Sequence, residues 1–248
     1  MNFLLGFFIH FCFGENLVCF EDECDFELIL RYRFTMSCKA NNGDWYPIEV
    51  VENDDNTFTI NATTNEFYPN KTELTAMNLQ FQEQNCIFGD GVRTSIIAIN
   101  DQFPGPTIEV RQGAKIHFTV INKLRSTSAT IHWHGFEMRH GFYWYDGAHK
   151  ITQCGIDPGQ TFTYTFIADE PGTRWYHGQL GGIQADGVHG AILVHNDEEL
   201  ARRTQLTNSN VLVLGDITHK KIHKGGSAQW LSSSAYKEMV IGIVKVKI

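Results

Sequence analysis

Two stretches in the middle of the chain alternate between apolar and polar side chains with a period of two. In residues 115–122, Ile116, Phe118 and Val120 alternate with lysine, histidine and threonine. In residues 161–166, three threonines alternate with three aromatic side chains. Successive side chains of a β-strand point to opposite faces, so both stretches are predicted to be strands with one buried face.

Turn sequences rich in proline and glycine separate the predicted strands. They are Phe-Pro-Gly-Pro at 103–106, Asp-Pro-Gly at 157–159 and Glu-Pro-Gly at 170–172. Proline sets the backbone for a turn and glycine accepts the left-handed conformation that many turns need. Many short strands at this spacing, without a convincing amphipathic helix, predict an all-β sandwich or barrel over residues 85–197.

The two flanks of this region have a different composition. Residues 15–84 are polar and rich in Asn, Thr and Asp, and they are predicted to form an irregular, cysteine-containing N-terminal extension. Residues 208–248 hold one more apolar strand and an apolar end, but a stretch this short cannot bury a core of its own. They are therefore predicted to be the incomplete start of a second domain.

Residues 1–14 contain an apolar run with the length of a signal-peptide core, ending at the small residue Gly14. They predict a signal peptide and a secreted, extracellular protein, with a buried N-terminal strand as the alternative. The triplets that begin at Asn61 and Asn70 fit the glycosylation acceptor pattern, which favours a secreted glycoprotein. No later stretch is long and apolar enough to predict a membrane span.

Composition narrows the range of partners. Hydrophobic residues make up 42% of the chain and aromatic residues 12%, as in globular proteins. The net charge of −8 argues against nucleic acid or an anionic membrane surface as the main partner, because both attract basic patches. Of the 6 cysteines, Cys12 lies in the predicted signal peptide. The odd number left predicts one thiol without an internal partner.

The most informative motif is Ile131-His132-Trp133-His134-Gly135. Positions i and i+2 of a strand share a face, so two imidazoles would project to the same side. A third histidine follows in Trp175-Tyr176-His177-Gly178-Gln179, at the end of another aromatic stretch. Imidazole suits copper, zinc, iron and nickel, so this chemistry does not choose among them. Histidines held by ordinary hydrogen bonds in a pocket are the alternative.

Further motifs stand in a fixed order around these histidines: Tyr145-Asp146-Gly147, Thr152-Gln153-Cys154, and the segments 100–108, 158–164 and 184–194. Together they resemble the first, plastocyanin-like domain of the multicopper oxidases, in particular animal laccase-like proteins. The resemblance covers about residues 86–218. It implies a cupredoxin-like Greek-key β-barrel.

The resemblance also implies a chemistry. In this family a mononuclear copper takes electrons from a donor such as a phenol, and a trinuclear copper cluster reduces dioxygen to water. Eight histidines hold the cluster, four each from the first and last domains. By motif position, His132 is similar to the ligand of the type 2 copper, and His134 and His177 are similar to ligands of the type 3 coppers. Asp146 is similar to a carboxylate that moves protons to oxygen, with a turn residue before Gly147 as the alternative.

Two features depart from the family pattern. Gln179 stands where the family has the second histidine of a His-x-His pair, and an amide is a poorer copper ligand than imidazole. The sequence also contains no copper cysteine flanked by histidines. This chain is therefore expected to lack half of the trinuclear site and to be inactive alone. Cys154, whose partner in some relatives lies near the C-terminus of the full enzyme, is expected to be the unpaired thiol.

Two functions follow. One is a laccase-like multicopper oxidase family protein that binds copper, with oxidation of phenols or similar donors as the family reaction. The other is a non-catalytic, secreted copper-binding or partner-binding module. In either case the domain face that is covered in the full enzymes is expected to be exposed here, where a partner chain could cover it.

Overall fold

The computed structural model describes residues 8–11, 16–54, 57–64, 70–203, 209–215 and 242–247. In chain order its strands are β1 (Phe8–Phe11), β2 (Leu17–Cys19), β3 (Glu23–Phe34), β4 (Ser37–Ala40), β5 (Trp45–Glu52), β6 (Phe58–Ala62), β7 (Phe81–Ile87), β8 (Ser95–Ile99), β9 (Ile108–Arg111), β10 (Lys115–Asn122), β11 (Ile131–His134), β12 (Thr161–Ile167), β13 (Gly172–Gly178), β14 (His189–His195), β15 (Ser209–Gly215) and β16 (Gly242–Lys247). The helices of the described part are short: α1 (Lys71–Ala76), α2 (Asp197–Arg203) and the 3-10 helix Phe142–Tyr145.

Two sheets enclose the main core. One has the strand order β12-β10-β3-β8, and the other has the order β11-β13-β14-β9-β2. Each sheet mixes antiparallel pairs with parallel ones, such as β10 beside β3 and β14 beside β9. The apolar face predicted for residues 115–122 is buried, and β12 pairs with β10 over its whole length. The prediction of an all-β, cupredoxin-like fold is confirmed.

Trp133 lies at the centre of this core and determines which face of β11 points inward. Its side chain is fully buried, and its ring stacks on Phe118 with the ring centroids 4.1 Å apart. Tyr164 and Phe166 of β12 contact the same indole. Aromatic pairs of this kind contribute about 0.5–1.5 kcal/mol each beyond the apolar area they bury. Because Trp133 points inward, the histidines on either side of it must point outward.

The N-terminal extension is more regular than its polar composition predicts. β3 lies inside the barrel sheet, parallel to β10 and antiparallel to β8, and β2 extends the other sheet beside β9. Cys24, Phe26 and Leu28 point into the core, while the acidic residues between them face solvent. The two sheets of the main core therefore include strands from the predicted extension.

The rest of the extension forms a smaller sheet with the order β6-β5-β4-β7 and a core of its own. A disulfide between Cys38 and Cys86 joins β4 to β7, and a second one between Cys19 and Cys24 joins β2 to β3. Cys154 is exposed and has no disulfide partner among the described residues, which agrees with the expectation of an unpaired thiol.

The first strand and the last two strands of the described residues form a third sheet. β1 and β16 pair with β15, and Val211 and Val213 of β15 pack on Ala191 and Leu193 of β14. Most of residues 208–248 and most of residues 1–14 lie outside the described residues, so the second domain and the signal peptide remain predictions. Among the described residues, no helix has the length and apolar character that crossing a bilayer requires.

Candidate metal centre

The candidate site lies on the outer face of the sheet, where β11 and β13 run antiparallel. Their register places His132 opposite His177 and His134 opposite Trp175. Directly opposed residues of a strand pair share a face, so these four side chains form one outward patch. Trp133 and Tyr176 alternate with them and are fully buried. In β11 and β13, inward-facing side chains therefore contribute to the core, and the outward-facing ones between them form the site.

The three predicted histidines converge. One ligand nitrogen from each of His132, His134 and His177 lies within 4.8 Å of the other two. His177 is buried, His132 is half-buried and His134 is exposed. The cluster is therefore closed on the side of β13 and open to solvent at His134.

Two of the three imidazoles are oriented by backbone carbonyl groups. Nδ1 of His132 donates to the carbonyl oxygen of Asp146 at 2.8 Å, and Nδ1 of His177 donates to that of Gly178 at 3.1 Å. A carbonyl oxygen can only accept, so each Nδ1 carries the proton and each Nε2 keeps its lone pair. Metal-binding histidines are commonly held in this way, with the second nitrogen left for the ion.

Asp146 lies next to the site in a turn that packs closely against β11. Its carboxylate oxygen Oδ1 lies 3.3 Å from Nδ1 of His132, so both its backbone and its side chain face that ring. The next residue, Gly147, has φ +82, and a Cβ there would lie 1.9 Å from the carbonyl oxygen of Ile131. Only glycine allows this approach. The structure thus places Asp146 beside the cluster, while its predicted role in proton transfer is untested.

Burial favours the neutral forms of His134 and His177. Mainly through this burial, the pKa of His177 is lowered from its ordinary value of 6.5 to about 4; the Gly178 carbonyl opposes the shift, and the nearby His132 and His134 add to it. Burial, followed by the proximity of His132, also lowers the pKa of His134. At neutral pH these two rings therefore hold lone pairs that a metal can use without displacing a proton.

The metal-free protein is expected to lose stability as the pH falls from 6.5 to about 4. The unfolded chain protonates His177 near 6.5, whereas the folded protein does so only near 4. In that window the unfolded state binds more protons, so acid favours unfolding. Allowing for solvent at the open site, we expect a loss on the order of 2 kcal/mol. Denaturant titrations across this window should show it. The variant His177→Gln should show a pH dependence smaller by that amount, and equal pH profiles would contradict the assignment.

Comparison with known proteins shows similarity to multicopper oxidases over the middle of the chain. A sequence model described as multicopper oxidase matches residues 80–199. L-ascorbate oxidase of Cucumis sativus is 39% identical over 135 residues, which are 54% of this chain and 23% of that protein. L-ascorbate oxidase of Cucurbita maxima is 41% identical over 129 residues, or 52% of this chain and 22% of that one. These matches support a multicopper oxidase family member, and they are confined to about half of the chain.

One further relative and one solved structure are similar to part of the chain. An iron transport multicopper oxidase of Epichloe festucae is 38% identical over 51% of this chain and 20% of its own length. The crystal structure of laccase from Botrytis aclada is 36% identical over 43% of this chain and 20% of that one, with a TM-score of 0.41. The matched region spans less than a quarter of the curated relatives.

Copper is the metal implied for this site, because multicopper oxidases bind copper. The donor set of this structure fits it, because three imidazoles converge and the two that are tied by carbonyl groups keep a free Nε2. Imidazole is a good copper ligand among nitrogen and oxygen donors. His132, His134 and His177 are therefore the side chains of the described part that could hold copper.

Gln179 lies just beyond the end of β13. Its backbone N–H donates to the carbonyl oxygen of Thr130 at 3.0 Å, and its side chain is exposed. The position that carries a histidine ligand in the family pattern thus holds an exposed amide. Among the described residues, the cluster of possible ligands has three members.

Sequence reasoning missed the aromatic neighbour of these ligands. The ring of Trp175 lies 4.3 Å from that of His177 and 5.0 Å from that of His134, measured between centroids. The signal was present, since Trp175 stands two positions before His177 in a strand and must share its face.

Proposed function

We propose that His132, His134 and His177 hold copper, and that this domain serves a laccase-like oxidation of phenols or similar donors coupled to the reduction of dioxygen to water. The observation that carries the proposal is the convergence of three imidazoles on one sheet face within a multicopper oxidase domain. The names of the relatives, ascorbate oxidase and iron transport oxidase, add ascorbate and iron to the donor classes worth testing.

Bound copper would supply the redox chemistry, accepting electrons and passing them to oxygen. The protein's own groups have separate tasks. The carbonyl groups of Asp146 and Gly178 fix the tautomers of His132 and His177. The Asp146 carboxylate, 3.3 Å from His132, is the group proposed to hold and move a proton beside the site. An acid–base group must lie within hydrogen-bond reach, directly or through one water, of the atom it serves.

A non-catalytic copper-binding module is the second candidate. The observation that favours it is Gln179, which places an exposed amide where the family pattern has a ligand. Three imidazoles suffice to bind a copper ion, whereas oxygen reduction in the family uses a larger ligand set. We propose that the described site binds one copper per chain and that oxidase turnover needs ligands beyond these three.

Titration of the purified chain with Cu²⁺ tests the proposal. We expect uptake of about one copper per chain, with electron paramagnetic resonance typical of nitrogen ligands and without intense blue absorption. Oxygen consumption with a phenol or with ascorbate should stay at the level of free copper at the same concentration. Absence of copper uptake above that of a histidine-free control protein would refute the copper site. Oxygen consumption above free copper would refute the need for further ligands.

We further propose that the protein is secreted, carries N-linked glycans and meets a partner chain. The apolar segment 1–14, the two disulfides and the exposed acceptor residues Asn61 and Asn70 support secretion and glycosylation. Exposed Tyr143 and Trp144 support a partner contact. After expression in a secretory host, a new N-terminus near residue 15 and a mass loss with a peptide N-glycosidase are expected. Sizing that showed only monomer would contradict the partner.

A further inference from the structure

We propose that Trp175 is a positioning residue, which holds the ring planes of His134 and His177 so that both imidazoles face the same copper ion. The inference rests on the proposed copper site and goes beyond it by adding a residue that touches no metal. It concerns the side chain that completes the outward patch of β11 and β13.

The geometry of Trp175 suits this role. It lies opposite His134 in the strand register and two positions before His177 on its own strand. Its ring is inclined by 36° to that of His134, with centroids 5.0 Å apart, and by 34° to that of His177, with centroids 4.3 Å apart. Both imidazoles are therefore packed obliquely against one indole.

His134 depends on this contact more than the other ligands do. Nδ1 of His132 and Nδ1 of His177 are each tied to a backbone carbonyl group. In the described part of the chain, no hydrogen bond is found for the ring of His134, which is exposed. Rotation about χ2 of histidine is broad, so hydrogen bonding or packing must choose the ring orientation. For His134 the indole of Trp175 is the packing surface besides the two other ligands.

The consequence is measurable as copper affinity. Residues that orient a metal ligand without touching the metal typically contribute about 10–100-fold in metal affinity. A flat aromatic side chain should preserve the contact, whereas an aliphatic one should leave His134 free to rotate. The loss should therefore depend on the shape of the side chain and not on the apolar area alone.

The experiment compares Trp175→Phe and Trp175→Leu with the wild-type chain and with the control Trp45→Leu. Trp45 is, like Trp175, half-buried, and it lies on β5 in the smaller sheet, which does not contain β11 or β13. Cu²⁺ affinity is measured by competition with a chelator, and the nitrogen hyperfine pattern is read by electron paramagnetic resonance. Circular dichroism of the metal-free proteins checks folding, and Trp175→Val, with a strand-favouring side chain, replaces the leucine variant if that one does not fold.

We expect Trp175→Leu to bind copper about tenfold more weakly, with fewer nitrogen ligands in its spectrum, and Trp175→Phe and Trp45→Leu to match the wild type. If the leucine and valine variants bind with the affinity and spectrum of the wild type, the inference is overturned while the copper site stands. If Trp175→Leu lowers stability but keeps the spectrum, the role is structural only and the inference is also overturned. A wild-type chain that binds no copper overturns the proposed function, and the inference with it.

Discussion

Replacing His177 by alanine should weaken Cu²⁺ binding by about a hundredfold or more. His177 is the most buried of the three ligands, and its low pKa keeps the ring unprotonated at neutral pH. It also lies near both other ligands, opposite His132 in the register and diagonal to His134. Its removal leaves two imidazoles on a single strand, and losing a ligand should cost more than losing a group that only orients one. Competition with a chelator at neutral pH measures the effect.

The matched control for this variant is His140→Asn. His140 is an exposed histidine outside the cluster with φ 60, a conformation that asparagine tolerates. The control should bind copper as the wild type does. Equal losses in the two variants would mean that copper binds to scattered surface histidines, and the cluster on β11 and β13 would lose its assigned role.

Replacing Gly147 by alanine should destabilise the protein by about 4 kcal/mol, mostly through the steric clash, and weaken copper binding as well. The added Cβ would lie 1.9 Å from the carbonyl oxygen of Ile131, so the turn must move away from β11. That movement adds to the cost of a left-handed alanine, which is about 1 kcal/mol. Because the same turn carries Asp146, the bond that orients His132 should be lost with it. Denaturant unfolding and copper titration measure the two effects.

The variant Gly159→Ala separates the cost of the left-handed backbone from the cost of the steric clash. Gly159 has the same φ, +82, but no atom lies within 4 Å of a Cβ added there. This variant should lose only the backbone contribution of about 1 kcal/mol and keep its copper affinity. A similar loss of stability in both variants would show that the turn at Gly147 does not pack closely against β11 as described.

The outward pair His132 and His134 was predictable from the sequence, because the period of a strand places i and i+2 on one face. This periodicity does not predict that His177 lies close to His132 and His134. That proximity depends on the antiparallel register that places His177 opposite His132, and register follows from how the barrel closes. The resemblance of the surrounding motifs, and not their periodicity, linked the two segments in advance.

The placement of β3 shows a second limit. Its alternation of Cys24, Phe26 and Leu28 with acidic residues is a strand signal of period two. The polar composition of residues 15–84 as a whole favoured an irregular extension instead. Composition averages over a segment, whereas a strand needs only one apolar face, so a strand between acidic side chains is missed by the average.

X-ray absorption at the copper edge, on the chain loaded with one equivalent of Cu²⁺, tests the central claim most directly. If copper sits among His132, His134 and His177, the spectrum should show scattering from about three imidazole rings and no sulfur neighbour. A copper–sulfur distance would place the ion at the free thiol of Cys154 instead. Scattering from a single imidazole would show that the three rings do not act together, and either result would contradict the site described above.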